Sequence, residues 1–269
     1  MADPKPLFLV GNKRSGTSHL VRLLNVHPSV FVAHEADVIW ILYQMARGDP
    51  FRCYPWDGPV GMEATLKVCA DLLDQEAMTH RMATAIPDLY FRILARVMEH
   101  GSDVQRPNPK EGLTWIGDKK PVQQADPDVL AFVRRHFPNA RFVHIIRHPR
   151  AVLSSMVAAG ETWAKVGYWK GTPESILERW AIHEEWVLAA KDVAPVHSLR
   201  YEDLCADPAG QLGKVFEFLG LAMPSEATTG VEARTERGTD RKHDSFQLPR
   251  CKRAERVMDL FGYELSAEH

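Results

Sequence analysis

The sequence predicts an α/β fold of three layers, a central parallel sheet flanked by helices. Three observations carry that prediction. Short continuous apolar runs, such as 7–10 and 142–146, read as strands covered on both faces. Between such runs lie longer segments with apolar residues at helical spacing. The first run ends in a glycine-bounded turn that opens directly into a helix. Composition agrees: with 45% hydrophobic and 25% charged residues, the 269-residue chain can bury a sizeable core, which excludes global disorder. A net charge of -2 argues against a general nucleic-acid binder and leaves room for a local basic pocket. Cys53, Cys69, Cys205 and Cys251 stand alone, without CxxC or zinc spacing, which suggests a reducing compartment. No apolar run is long enough to span a bilayer and no signal peptide precedes the first strand, so a soluble cytoplasmic protein is expected.

The elements follow in order. After a polar lead-in, 7–10 is the first strand, and the turn 11–15 leads to a helix over 17–26 with Leu20, Leu23 and Leu24 on one side. His27-Pro28-Ser29 ends that helix, and 30–32 is a second strand. An unusually apolar helix over 36–47 precedes a proline-rich loop at 48–59. Two more helices are expected over 63–81 and 88–100, separated by Pro87. A second set of βα units begins with a strand at 113–117. Asp126-Pro127 opens a helix reaching Phe137, 141–146 is a strand, and 150–159 is a helix. Thr172-Pro173 caps a long amphipathic helix bearing Ile176, Trp180 and Val187. A strand at 196–199 and a helix at 208–219 complete the pattern, and the polar stretch 225–249 is a loop or mobile lid. The whole chain, 1–269, reads as one domain with a helical insertion over 48–111.

The turn Gly11-Asn12-Lys13-Arg14-Ser15-Gly16-Thr17-Ser18 between strand and helix is a phosphate-cradling arrangement. Successive backbone N–H groups and the positive end of the helix dipole solvate an anion there. It departs from the nucleotide-triphosphatase loop, because Thr17 stands where that loop has lysine, and the cation has moved inside, to Lys13 or Arg14. A magnesium-dependent phosphoryl transferase also needs an acidic residue at a neighbouring strand end. The run 142–146 ends instead in Arg147-His148-Pro149-Arg150. The pattern suggests a ligand with two separated anionic groups, held without a metal. The competing readings are a P-loop kinase or nucleotide triphosphatase, and a non-catalytic nucleotide-binding protein.

With those residues in place, the chain resembles the P-loop sulfotransferases that use 3′-phosphoadenosine 5′-phosphosulfate (PAPS). Arg14-Ser15-Gly16-Thr17-Ser18 resembles their 5′-phosphosulfate loop, and Arg147 followed eight positions later by Ser155 resembles their 3′-phosphate motif. Tyr201-Glu202-Asp203-Leu204 is similar to another recurring family segment. The order Arg14, His27-Pro28, Glu35, together with Lys119 in Gly117-Asp118-Lys119-Lys120-Pro121, is closest to the tyrosylprotein and bacterial branch. The resemblance spans 7 to about 221. It implies PAPS as co-substrate, 3′-phosphoadenosine 5′-phosphate (PAP) as product, no metal, and a small-molecule, glycan or lipid acceptor.

The resemblance also implies roles. Lys13, Arg14, Ser15, Gly16, Thr17 and Ser18 would cradle the 5′-phosphosulfate, while Arg14 and Lys119 would stabilise charge on the leaving oxygen. Glu35 is the candidate base, with His34 its nearest competitor; alternatively Glu35 caps the following helix. Arg147 and Ser155 would hold the 3′-phosphate, although Ser154 would serve if the helix were rotated. Tyr201 either reaches the nucleotide or is a core tyrosine. Arg241 and Lys242 either close over the 3′-phosphate or form a solvated charge run. Trp40, Tyr43, Phe51, Tyr54, Trp56, Trp163, Tyr168 and Trp169 are candidates for an acceptor pocket, whereas Trp180 and Trp186 are assigned to the core.

Overall fold

The computed structural model describes residues 4–55, 60–77, 82–163, 171–224 and 247–264. Five strands form one parallel sheet: β1 (Lys5–Val10), β2 (Val30–His34), β3 (Trp115–Lys119), β4 (Arg141–Ile146) and β5 (Val196–Arg200). Their order is β2-β3-β1-β4-β5, so β1 lies at the centre, with Leu9 opposite both Lys119 and Val143. Alternation along β1 explains the continuous apolar run. Leu7 and Leu9 enter one core and Phe8 and Val10 the other.

Leu7 and Leu9 meet α1 (Thr17–Leu24), α9 (Tyr201–Ala206) and α10 (Pro208–Leu219) through Leu20, Leu204, Leu212 and Phe216. Phe8 and Val10 meet α2 (Val38–Arg47), α5 (Met82–His100), α6 (Pro127–His136) and the end of α8 (Pro173–Ala190). A third cluster joins α7 (Pro149–Trp163), α8 and α11 (Lys252–Leu260) around Trp180. The three predicted layers are therefore present. No helix among the described residues is long and apolar enough to cross a membrane.

Several element boundaries differ from expectation. Pro87 lies inside α5 and does not separate two helices. The buried stripe Ile86, Leu89, Tyr90, Ile93, Leu94 and Val97 outweighs the one backbone bond the proline removes. That stripe also makes the 48–111 stretch part of the main core. The helix expected over 63–81 is two, α3 (Val60–Val68) and α4 (Ala70–Ala77), meeting at Cys69. β2 runs on to His34 and β3 to Lys119, which places both residues at the carboxyl edge of the sheet. α9 and α11 were not anticipated.

Candidate active site

In an open parallel sheet, ligands bind beyond the carboxyl ends of the strands. Five predicted residues lie there: Arg14 after β1, Glu35 after β2, Lys119 at the end of β3, Arg147 after β4 and Tyr201 after β5. A cleft of about 290 Å³ is lined by Lys13, Arg14, Gly16, Thr17, Ser18, His19, Arg22, Glu35, Lys119, Pro121, Arg147 and Ser155. Among the described residues, the non-glycine left-handed backbones are Arg14 (φ 68°), Glu35 (53°), Asp37 (55°), Arg106 (55°) and Val122 (69°). Arg14 and Glu35 line the cleft and Arg106 bonds to it, its Nη1 donating to Ser18 O (3.0 Å); the N–H of Val122 donates to Gly11 O (3.0 Å) at the start of the loop. Strain of this kind persists where the surroundings fix it, and it gathers at functional sites.

The loop is built to receive an anion. Gly16 starts α1 in a left-handed conformation without any side-chain cap, so the first-turn N–H groups are not taken by a side chain. A Cβ at Gly16 would collide with the Tyr201 ring, and one at Gly11 with Ile145 O, so both positions require glycine. Ser15 Oγ is fully buried in the loop with no hydrogen-bond partner among the described residues. Arg14 Nε donates to Ser155 Oγ (2.9 Å), and Arg147 Nη1 donates to Arg14 O (2.8 Å). Burial, and then Arg147, push the Arg14 guanidinium below its usual range, with Glu35 acting against them.

Tyr201 packs against the core beside α1, one of the two environments expected for it, while the Arg147 guanidinium lies 4.7 Å over its ring. The next residue, Glu202, accepts from the His148 backbone N–H (2.8 Å) and from Tyr263 Oη (2.8 Å). It ties the Arg147 turn to the segment after α11. Sequence reasoning quoted Glu202 but gave it no role.

Lys119, 1% exposed, is the hub of the opposite wall. Its Nζ donates to Glu35 Oε1 (2.8 Å) and lies 3.4 Å from Ser18 Oγ and 3.3 Å from His34 Nε2. Although burial opposes it, the adjacent Lys119 and Lys120 charges hold Glu35 down to about 2, so it is ionised at neutral pH. His34 Nδ1 donates to Val104 O (2.9 Å), leaving Nε2 as acceptor for Ser18 Oγ (2.7 Å) and Lys119. Burial and Lys119 hold His34 down to about 3, so it is neutral and a weak base.

Glu35 does not cap α2. That position belongs to Asp118, which accepts from Val38 N (3.0 Å) and Ala36 N (3.3 Å). Beneath it, Lys120 pairs with Asp37 at 2.7 Å, both side chains 3% exposed. The loop floor is fixed from α8: Asn12 Nδ2 donates to Glu184 Oε1 (2.7 Å) and Trp180 O (3.0 Å), and His183 Nδ1 donates to Asn12 Oδ1 (2.9 Å). Glu184 in turn lies 2.8 Å from His144 Nε2. These buried polar partners carry no local motif, so the sequence did not single them out.

The described acceptor-aromatic candidates Trp40, Tyr43 and Tyr54 form a cluster of their own. Trp40 stacks on Tyr43 and meets Tyr54 edge-on, and none of them lines the cleft. Trp180 is buried and Trp186 packs against the core. Arg241, Lys242, Trp56, Tyr168, Trp169, the Trp163 side chain and most of 225–249 lie outside the described residues.

A family model described as the sulfotransferase family matches residues 6–225. An omega-hydroxy-beta-dihydromenaquinone-9 sulfotransferase of Mycobacterium bovis is 26% identical over 142 residues, 48% of this chain and 37% of that protein. Protein-tyrosine sulfotransferase 1 of Danio rerio is 23% identical over 224 residues, 81% of this chain and 54% of that protein. The matches thus span from about a third to just over half of these relatives' length. The sulfotransferase domain from the curacin biosynthetic pathway superposes with a TM-score of 0.61 at 22% identity, covering 98% of this chain and 100% of that one. The sulfotransferase domain of the Synechococcus PCC 7002 olefin synthase gives 0.63 at 19%, covering 98% and 97%. At such identities the likeness is one of fold.

Proposed function

This chain belongs to the sulfotransferase family, and on that premise we propose that it transfers a sulfuryl group from PAPS, in line, to a hydroxyl of a small-molecule, glycan or lipid acceptor. The observation that carries the reading is the Lys119 ammonium joining Glu35 to the phosphate-type loop inside one cationic cleft. The residues suit such a donor: an uncapped helix start, the orphaned Ser15 hydroxyl, and the Arg14 and Arg147 guanidiniums. When bound, the donor supplies the sulfuryl group as an activated phosphosulfate anhydride. Lys13 to Ser18 would hold its 5′ end, with Arg147, Ser155 and Tyr201 at its 3′-phosphate side; Arg241 and Lys242 remain candidates for closing over it.

Arg14, Lys119 and the loop N–H groups would stabilise the charge developing on the leaving oxygen. Glu35 would accept the acceptor's proton at its carboxylate as the new S–O bond forms. Its low proton affinity belongs to the state in which Lys119 is committed to it. Charge delivered to the loop competes for Lys119, which frees Glu35 and raises its basicity as proton transfer requires. The four free thiols suit a reducing compartment, and we take the reaction to be cytoplasmic.

The test begins with heat. PAP without added metal should raise the melting temperature; at a hundredfold excess over its Kd the gain is about 2.7 kcal/mol, or roughly 5–10 °C for a chain of this size. An acceptor screen with labelled PAPS should then yield products heavier by SO₃. No shift with PAP, or a larger one with ATP and magnesium, would reverse the reading.

A further inference from the structure

The cleft has a second cationic end that the donor groups do not use. On α1, Ser18 and Arg22 stand four positions apart on one face, and Arg22 continues the lining one turn beyond Ser18. Facing it is the connection between α5 and β3. Gln105, fully buried, anchors that connection by donating to Thr65 Oγ1 (2.6 Å) and accepting from the His34 N–H (3.2 Å) at its carbonyl. Lys110 Nζ pins the far side by donating to Asn25 O (2.6 Å), His27 O (2.8 Å) and Val30 O (2.6 Å). Held between them, Arg106 adopts its left-handed backbone and places Nη1 on Ser18 O.

Ser18 is the residue whose hydroxyl bonds His34 and approaches Lys119, so Arg106, on the Ser18 carbonyl, stands next to the Glu35 cluster. Burial first, and then Arg22, lower the proton affinity of Arg106, while Glu35 acts in the opposite direction. Among the described residues, neither Arg22 nor Arg106 has a carboxylate within ion-pair distance. A guanidinium offers five donors in a planar fork that matches a carboxylate. Holding two such forks together, one of them on a strained backbone, costs energy that a bound anion would offset.

We propose that Arg22 and Arg106 form an acceptor subsite for a carboxylate, so that the preferred acceptors are hydroxy compounds carrying a carboxylate group. This rests on the sulfuryl-transfer reading, which assigns Arg14 and Arg147 to the donor and Glu35 to the acceptor hydroxyl. A singly charged carboxylate suits the site better than a phosphate dianion, because Glu35 already carries negative charge beside it.

The test compares para-hydroxyphenylacetate with its neutral amide by calorimetry, with and without PAP. It uses the wild type and the Arg22→Gln, Arg106→Gln and double variants. The carboxylate should bind on the order of tenfold more tightly than the amide in the wild type, as charge-assisted hydrogen bonds warrant. That preference should fall in each single variant and vanish in the double, while PAP affinity stays within about twofold. Arg22 is exposed on α1, so its variant keeps the fold even if Arg106→Gln disturbs the connection. Equal affinity for acid and amide, or a preference that survives the double variant, overturns the proposal. So does a loss of PAP affinity, which would hand the arginines to the donor. Wild-type protein that ignores PAP sinks the transfer reading instead, since acid and amide are also compared without it.

Discussion

At the scale of single residues, Lys119 sets the chemistry of this cleft. One buried ammonium contacts a carboxylate, a hydroxyl and an imidazole; it holds the carboxylate ionised and adds to the burial that keeps the imidazole neutral. His34 already spends Nε2 on Ser18 and Lys119, so the proposed transfer assigns proton acceptance to Glu35. Glu35→Gln should therefore slow transfer by a factor on the order of 10²–10⁴ and leave PAP affinity nearly unchanged. Turnover rates beside PAP titrations on the same preparation check this, and undiminished turnover would move the proton elsewhere. Arg14 and Arg147 were legible as site candidates because a glycine turn and an apolar run's end mark them locally, whereas Glu35 and Lys119 were named through the family resemblance, the expected strands stopping short of both. Asp118 was not. Its carboxylate acts on backbone groups at Ala36 and Val38, and only the β2–β3 register brings those positions together. Asn12 and Glu184, separated by most of the chain, were hidden for the same reason.

At the scale of elements, Glu202 at the start of α9 couples three segments: the Arg147 turn that opens α7, β5, and the chain after α11. Tyr263→Phe removes one hydroxyl from a site 4% exposed and frees one oxygen of Glu202. The loss should be about 1–2 kcal/mol, lowering the melting temperature by roughly 2–8 °C. PAP binding should weaken severalfold, because the same carboxylate holds the His148 N–H, which sets the turn that carries Arg147. A stability loss with unaltered PAP affinity would reduce the contact to packing alone. The strands were legible to within two or three residues, since a run buried on both faces leaves a continuous apolar signature. Helices were less so. Pro87 reads locally as a breaker, and only the tertiary burial of Ile86, Tyr90 and Ile93 shows why α5 continues through it. α11 carries Lys252, Arg253, Glu255 and Arg256, so its narrow apolar face of Ala254, Val257 and Met258 is masked by charge.

At the scale of the whole molecule, gathering so many polar groups under one sheet edge makes stability depend on pH in a direction that can be worked out. His34 and His183 are both held at about 3, chiefly by burial. An unfolded chain would protonate them near 6.5, so between those values it binds more protons than the folded one and stability falls as pH falls. His27, His136, His148 and His197 are lowered too and act in the same direction. Asp118 opposes them: burial and Asp37 raise it to about 7, so the folded chain keeps a proton that the unfolded chain releases near 3.8. Between about pH 4 and 6.5 the histidines win, and unfolding free energy should drop on acidification. Each proton is worth roughly 1.4 kcal/mol per pH unit. Asp118→Asn removes the opposing group, so its stability, whatever the offset from a weakened α2 cap, should fall more steeply with acid than the wild type by about that amount per pH unit. Urea midpoints across the window measure the two slopes. Parallel slopes would mean that Asp118 is already ionised beneath the site, with Lys120 and the two backbone N–H groups overcoming its burial.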